Sequence, residues 1–189
     1  YAHSLFAGDG SGTINYKYYK TKKVKGKEVQ EIATMKLYVI LITDVASRHI
    51  AGWSVAPKGD HKETTQMMQS AVKMAIENGG HQTMFEFISD NHGAFTSKES
   101  KSFLNLAFNK VRTIEAGNSQ ANPAETQFRL FKRSLKDIKN FLSTSWGTGI
   151  EGQSNPDHLN IDELPNYTDA LIQMHELITR WNQTPLRDK

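Results

Sequence analysis

The chain of 189 residues contains no cysteine. That excludes a disulfide framework, a cysteine-ligated zinc or iron–sulfur site and a cysteine nucleophile. Long apolar runs are missing too. The longest, Leu37 to Ile42, has six residues, against the roughly 20 that a membrane helix needs. No signal-peptide pattern or low-complexity segment is present, so the expectation is a soluble, cytoplasmic globular chain with no membrane partner. The seven histidines are scattered without an H-E-x-x-H pair, and no zinc site is expected. Neither sign of charge dominates: 23 Lys plus Arg face 20 Asp plus Glu, for a net +3, which by itself does not argue for nucleic acid. At roughly 100–200 residues per domain, residues 1–189 are expected to form one domain with its own core. The opening at Tyr1 reads as a piece cut from a longer protein.

What is present is unevenly distributed. Lys17, Lys20, Lys22, Lys23, Lys25 and Lys27 fall in a stretch without a single acid. Arg129, Lys132, Arg133, Lys136 and Lys139 form a second cluster in which Asp137 is the only acid. Such clusters suit a phosphate backbone, because each neutralised phosphate releases condensed counterions. Solvated loops and helix faces are their plainer explanation.

Periodicity predicts strands over Ser4–Ile14, Lys36–Thr43 and His49–Val55, with the lysine-rich stretch as a long hairpin tip. A helix follows, with Asp60 and Glu63 spaced as a capping box and Gly79-Gly80 as its end. Met84–Ser89 is a short apolar strand reached by a crossover long enough to make it parallel. Lys98–Phe108 is a short helix, Val111–Ile114 a strand, and Glu115–Ala121 a loop. Asn122, Pro123 and Glu125 then signpost a helix start. Its apolar stripe of Phe128, Phe131, Leu135, Ile138 and Leu142 lies beside a polar stripe of Glu125, Arg129, Lys132, Lys136 and Lys139. After a loop with Gly147, Gly149 and Gly152, a last helix spans about Asp169–Trp181. The layout is α/β, a mixed sheet covered on both faces.

Three acids sit where elements end or break. Asp9 lies among glycines in the first strand, Asp90 at the carboxyl end of a parallel strand, and Glu125 at a helix start. Ligands of open α/β sheets bind at those carboxyl ends. If the first strand lies beside Met84–Ser89, the two aspartates become neighbours. Grouped carboxylates repel unless a cation joins them, and oxygen-only ligands point to Mg²⁺ or Mn²⁺. Two such ions about 4 Å apart serve an in-line phosphoryl displacement. Each acid also has an ordinary explanation: a turn at Asp9, an Asx turn at Asp90-Asn91, a capping box at Glu125.

Taken together, the motifs resemble the DDE transposase and retroviral-type integrase catalytic cores. Phe6–Gly10 (F-A-G-D-G) resembles the strand that bears the family's first catalytic Asp. Leu41–Trp53 (L-I-T-D-V-A-S-R-H-I-A-G-W) resembles its second and third strands, and Ser89–Phe95 (S-D-N-H-G-A-F) the surroundings of its second Asp. Asn122–Lys136 (N-P-A-E-T-Q-F-R-L-F-K-R-S-L-K) resembles the helix with the catalytic Glu, and Trp181–Pro185 (W-N-Q-T-P) the family's closing motif. The 34 residues between Asp90 and Glu125 match the family's usual spacing. Thr126 stands where the family commonly has Arg, and His92 is an added residue before Gly93.

The resemblance implies a ribonuclease-H-like fold, a five-stranded mixed sheet with helices on both faces. It also implies metal-dependent DNA cleavage and strand transfer by Asp9, Asp90 and Glu125 with two Mg²⁺ or Mn²⁺ ions. DNA, both element ends and target, is the implied partner, bound through Arg129, Lys132, Lys136, Lys139, Asn91 and His92 by a homo-oligomer. For His92 an ordinary loop histidine is the alternative. The implied host is a bacterial mobile element, with the protein near the nucleoid. Asp44 is read as a turn residue. Glu63 and Glu77, at the two ends of their helix, match the fourth carboxylate of a ribonuclease H poorly. The strand-rich opening contradicts a tyrosine recombinase. A module that keeps the fold for DNA binding or assembly without catalysis is the remaining alternative.

Overall fold

The computed structural model describes residues 4–79, 84–114, 122–135, 138 and 160–185. Five strands run in chain order as β1 (Leu5–Val24), β2 (Lys27–Asp44), β3 (Ile50–Val55), β4 (Met84–Ser89) and β5 (Phe108–Thr113). They form one sheet in the order β3-β2-β1-β4-β5. β1 pairs with β2 and β2 with β3 in antiparallel fashion, while β4 lies parallel to both β1 and β5. The helices are α1 (Thr65–Asn78), α2 (Gly93–Thr96), α3 (Lys98–Ala107), α4 (Pro123–Ser134) and α5 (Tyr167–Gln183).

The central strands are buried on both faces, which explains their continuous apolar run. Ile40 and Ile42 of β2 point to one face with Phe6 and Phe87, under Met68, Ala71 and Val72 of α1 and Leu104 of α3. Val39 and Leu41 point to the other with Ile14 and Tyr16, under Phe128 and Phe131 of α4 and Met174, Ile178 and Trp181 of α5. Each of the larger aliphatic and phenylalanine side chains so buried contributes roughly 1.5–3 kcal/mol. The expected five-stranded mixed sheet with helices on both faces is what the chain forms.

Two local readings need correction. β1 continues as one strand through its glycines, with a register shift between Gly12 and Asn15, and the lysine-rich stretch of the expected hairpin is paired strand almost to its turn. Tyr18, Tyr19, Thr21 and Val24 are good strand formers, and their segment pairs in register with Lys27–Thr34. The turn is only Lys25-Gly26, at φ of 49° and 79°. Asp60 and Glu63 do not cap α1. Thr64 does, accepting from the Met67 amide at 3.2 Å, while Asp60 accepts from the His61 and Lys62 amides within its own turn.

Asp44 is the turn residue expected. Its carboxylate accepts from the Ala46 amide and the Ser47 hydroxyl. The closing W-N motif ties α5 to this same turn. The Trp181 indole donates to the Arg48 carbonyl, and Asn182 both accepts from and donates to the backbone of Ile50.

Candidate active site

Asp9 and Asp90 meet because of strand register. In the parallel β1–β4 pair, Gly8 stands opposite Ser89, so the next residue on each chain is an aspartate. β4 stops there, whereas β1 continues against β2, where Asp9 pairs with Leu41. The Asp9 carboxylate accepts the Gly10 amide at 2.8 Å. That of Asp90 accepts the His92 amide at 3.2 Å, so the Asx turn exists, and it holds the loop that follows the aspartate.

Helix α4 brackets Asp9. The Asn122 carboxamide caps the helix by accepting the Ala124 amide at 3.0 Å, and it also donates to the Gly8 carbonyl at 3.5 Å. Ten residues later the Lys132 ammonium donates to the Ser11 hydroxyl and stands 5.3 Å from the centre of the Phe128 ring. The two anchors fall on either side of Asp9. Glu125 lies between them on α4, exposed, and among the described residues its carboxylate returns to no amide. Asn122 alone therefore caps this helix among those residues.

The electrostatics single out Asp9. Burial, chiefly, pushes its carboxyl up to about 7. The Gly10 amide and Lys132 oppose the shift, and the charges of Asp90 and Glu63 add to it. Burial likewise lowers the Lys132 ammonium, against the pull of Asp9, and lowers that of Lys36, where Lys132 adds to the effect. Lys132 is thus a half-buried partner of the acidic centre, while Arg129 on the same helix is exposed. Lys136, Lys139 and the Glu115–Ala121 loop lie outside the described residues.

Glu63 is the residue that sequence reasoning set aside. It precedes α1, so helical periodicity could not aim it. Its carboxylate lies over the Cα of Gly10, where a Cβ would fall 2.2 Å from its Cδ. It also pairs with the His92 imidazole at 3.1 Å. Burial raises its carboxyl, His92 opposes and Asp90 reinforces the shift. His92 is thereby held beside Asp90 by Glu63, and Asn91, the residue between them in sequence, is exposed.

The carboxyls that act on one another here are those of Asp9, Asp90 and Glu63, with Glu125 not among them, and oxygen donors of this kind suit a hard divalent cation. Among the described residues no three His, Asp or Glu side chains converge into a ready ligand group.

Comparison with known proteins bears on the fold and the family. Three solved structures share the fold, each similar over 94% of this chain. The Mos1 transposase paired-end complex with left transposon end has a TM-score of 0.56 at 14% identity, with 48% of that chain covered. A pre-cleavage Mos1 transpososome has 0.54 at 13%, with 48% covered. The catalytic domain of Mos1 mariner transposase has 0.53 at 13%, with 70% covered. The chain spans about half the length of the transposase in the two complexes. No curated protein matches the sequence. The family model described as integrase core domain matches residues 14–119, a span that includes Asp90 and stops short of Asp9 and Glu125. With more than half of its residues so matched, and with the sheet order and helices of a ribonuclease-H-like core, the chain belongs to the integrase core domain family.

Proposed function

We propose that this chain is the catalytic core of a DDE-type transposase or integrase of a bacterial mobile element, which cuts DNA at the element's ends and joins them to target DNA. The observation that carries the reading is the Gly8–Ser89 register, which sets Asp9 and Asp90 side by side at the end of a parallel strand. Asp9, Asp90 and Glu125 are the three carboxylates of the reaction. Two Mg²⁺ or Mn²⁺ ions held by them would supply Lewis-acid activation of the attacking oxygen and of the departing one.

The chemistry needs two displacements at phosphorus. In the first, water attacks, loses a proton and expels the 3′ oxygen, leaving a 3′-hydroxyl and a 5′-phosphate. In the second, that hydroxyl attacks a target phosphodiester, loses its proton and expels another 3′ oxygen. The protein's part is positioning and charge. Lys132 balances Asp9, and Arg129 with Lys136 and Lys139 would meet the phosphates that lead in, fixing register without reading sequence. Asn91 and His92 border the same entrance. Residues 1–189 form one catalytic domain, acting as a homo-oligomer on two ends in the nucleoid. No helix among the described residues is long and apolar enough to cross a membrane.

The test is strand transfer by the full-length protein with Mg²⁺. Glu125→Gln should reduce the rate at least about a hundredfold, a loss of several kcal/mol of charge stabilisation. Thermal stability should change by less than about 1 kcal/mol, since Asn122 supplies the cap. Asp44→Asn should remain active. A Glu125→Gln protein that stays active while Asp44→Asn dies would move the third ligand to the hairpin turn, and a parent that binds DNA yet never cuts or joins it would leave the non-catalytic assembly module as the better reading.

A further inference from the structure

The β1–β2 ribbon outruns the rest of the sheet. β4 covers β1 only to Gly8, and β3 covers β2 only from Val39 onward. The base of the ribbon is anchored: the Lys17 amide donates to the Pro165 carbonyl at 2.9 Å and its ammonium to the Asp162 carbonyl at 2.7 Å. From Tyr19 to Ile32 every residue is exposed. Six residues per strand, Tyr19–Val24 on β1, then project about 20 Å at roughly 3.4 Å per residue.

Charge is concentrated there. Residues 19–32 carry five lysines and two glutamates, a net +3 in a chain that totals +3, so everything else sums to zero. Glu31 and Glu28 stand opposite Lys20 and Lys23, and the tip lysines Lys25 and Lys27 face no acid. A lone two-stranded ribbon is marginal in water, yet this one also leaves Tyr19, Val24, Val29 and Ile32 uncovered. Its cations and its bare sides both ask for a partner, and that partner must be negative. A second copy of the ribbon would be repelled.

We propose that the ribbon is a phosphate-binding arm that grips duplex DNA about one helical turn from the catalytic carboxylates. The proposal rests on the DNA reading given above. The distance follows from the strand itself, because Asp9 and Lys20 lie on the same β1. Eleven residues at roughly 3.2 Å, the shorter rise of a strand bent by the register shift between Gly12 and Asn15, span about 35 Å, close to the roughly 34–36 Å of one turn of B-DNA. The contacts are to phosphate, so the arm supplies affinity and register without sequence preference.

The experiment compares the full-length protein with a Lys20→Gln, Lys23→Gln, Lys25→Gln triple variant in duplex binding across a salt series. Loss of three phosphate contacts should flatten the slope of log K against log salt by about 2.7 and weaken binding on the order of a hundredfold near ~0.15 M salt. The loss should be equal for unrelated sequences. The parent should gain affinity when the flanking duplex is lengthened from about half a turn to about one and a half turns, and the variant should not. An unchanged slope and length dependence, with the parent binding DNA, would overturn the arm alone. A parent that binds no DNA would overturn the functional reading and the arm with it. If sedimentation shows the variant losing self-association while its DNA slope is unchanged, the ribbon is an interface between copies and the proposal fails.

Discussion

Gly8 and Gly10 flank Asp9 for different reasons, and the difference can be measured. A Cβ on Gly8 would lie 2.6 Å from the Phe87 ring and 2.8 Å from that of Phe95. Both rings are buried and cannot yield. On Gly10 it would meet only the Glu63 carboxylate, the far end of a flexible side chain. Gly8→Ala should therefore cost about 2–3 kcal/mol, in the range of overpacked cores, and Gly10→Ala less than about 1 kcal/mol. Urea denaturation of the two variants checks the ranking, and equal losses would contradict the geometry. At this scale the two aspartates were legible as strand-end acids, because a crossover long enough for a helix makes Met84–Ser89 a parallel strand, while its place beside β1 was a condition that the register supplies. Glu63 was not. It sits just before the α1 N-cap, where no period fixes a side chain's direction, and only the gap left by Gly10 shows where it points. Lys132 was legible as a basic residue of α4 but not as the half-buried neighbour of Asp9.

Elements show the same contrast between pattern and contact. Helix α1 lies so close to β3 that a Cβ on Gly52 would fall 2.0 Å from the Ala71 carbonyl oxygen and 2.6 Å from the Ala75 nitrogen. Those are backbone atoms, so relief would require the whole helix to move off the sheet. Gly52→Ala should cost at least about 3 kcal/mol, beyond the usual effect of an added methyl, with a visible fall in the melting temperature. Thr64→Ala, which removes only the cap of the same helix, should cost about 1 kcal/mol. The glycine in the I-A-G-W motif thus has a packing cause that its sequence neighbours do not reveal. Helix and strand existence came from periodicity, and β4 was legible to the residue. The hairpin was legible but the reach of its strands was not, because lysines in near succession look like a solvated tip, whereas the tyrosine, threonine and valine between them keep the two strands paired.

For the whole molecule, the buried Asp9 carboxyl couples stability to pH, and the proposed metal site predicts a response to divalent cations. Asp9 titrates at about 7 in the folded chain against 3.8 for the ordinary side chain. Between those values the folded state holds a proton that the unfolded state has released, so stability falls as pH rises through the window. Below about 4 both states are protonated and the effect vanishes. Asp9→Asn, which cannot ionise, should therefore match the parent near pH 4 and melt higher than it at pH 8, both without divalent metal. Added Mg²⁺ at pH 8 should raise the parent's melting temperature and leave Asp9→Asn unmoved, because a ligand stabilises only the state that binds it. Scanning calorimetry at the two pH values reads both outcomes. A parent that melts at or above Asp9→Asn at pH 8 without metal would contradict the buried, reluctant carboxyl.

The bare ribbon also has a consequence for how such a chain can change over generations. Since every residue from Tyr19 to Ile32 is exposed and lies beyond the reach of β3 and β4, residues inserted or deleted in facing pairs leave the Gly8–Ser89 alignment untouched. Two added pairs would lengthen the ribbon by about 7 Å and return every side chain to its former face. The 80 residues between Asp9 and Asp90 are then an elastic measure, free to drift among kin while the two aspartates stay adjacent. Counting along the chain would separate close cousins, and matching the facing strands would reunite them.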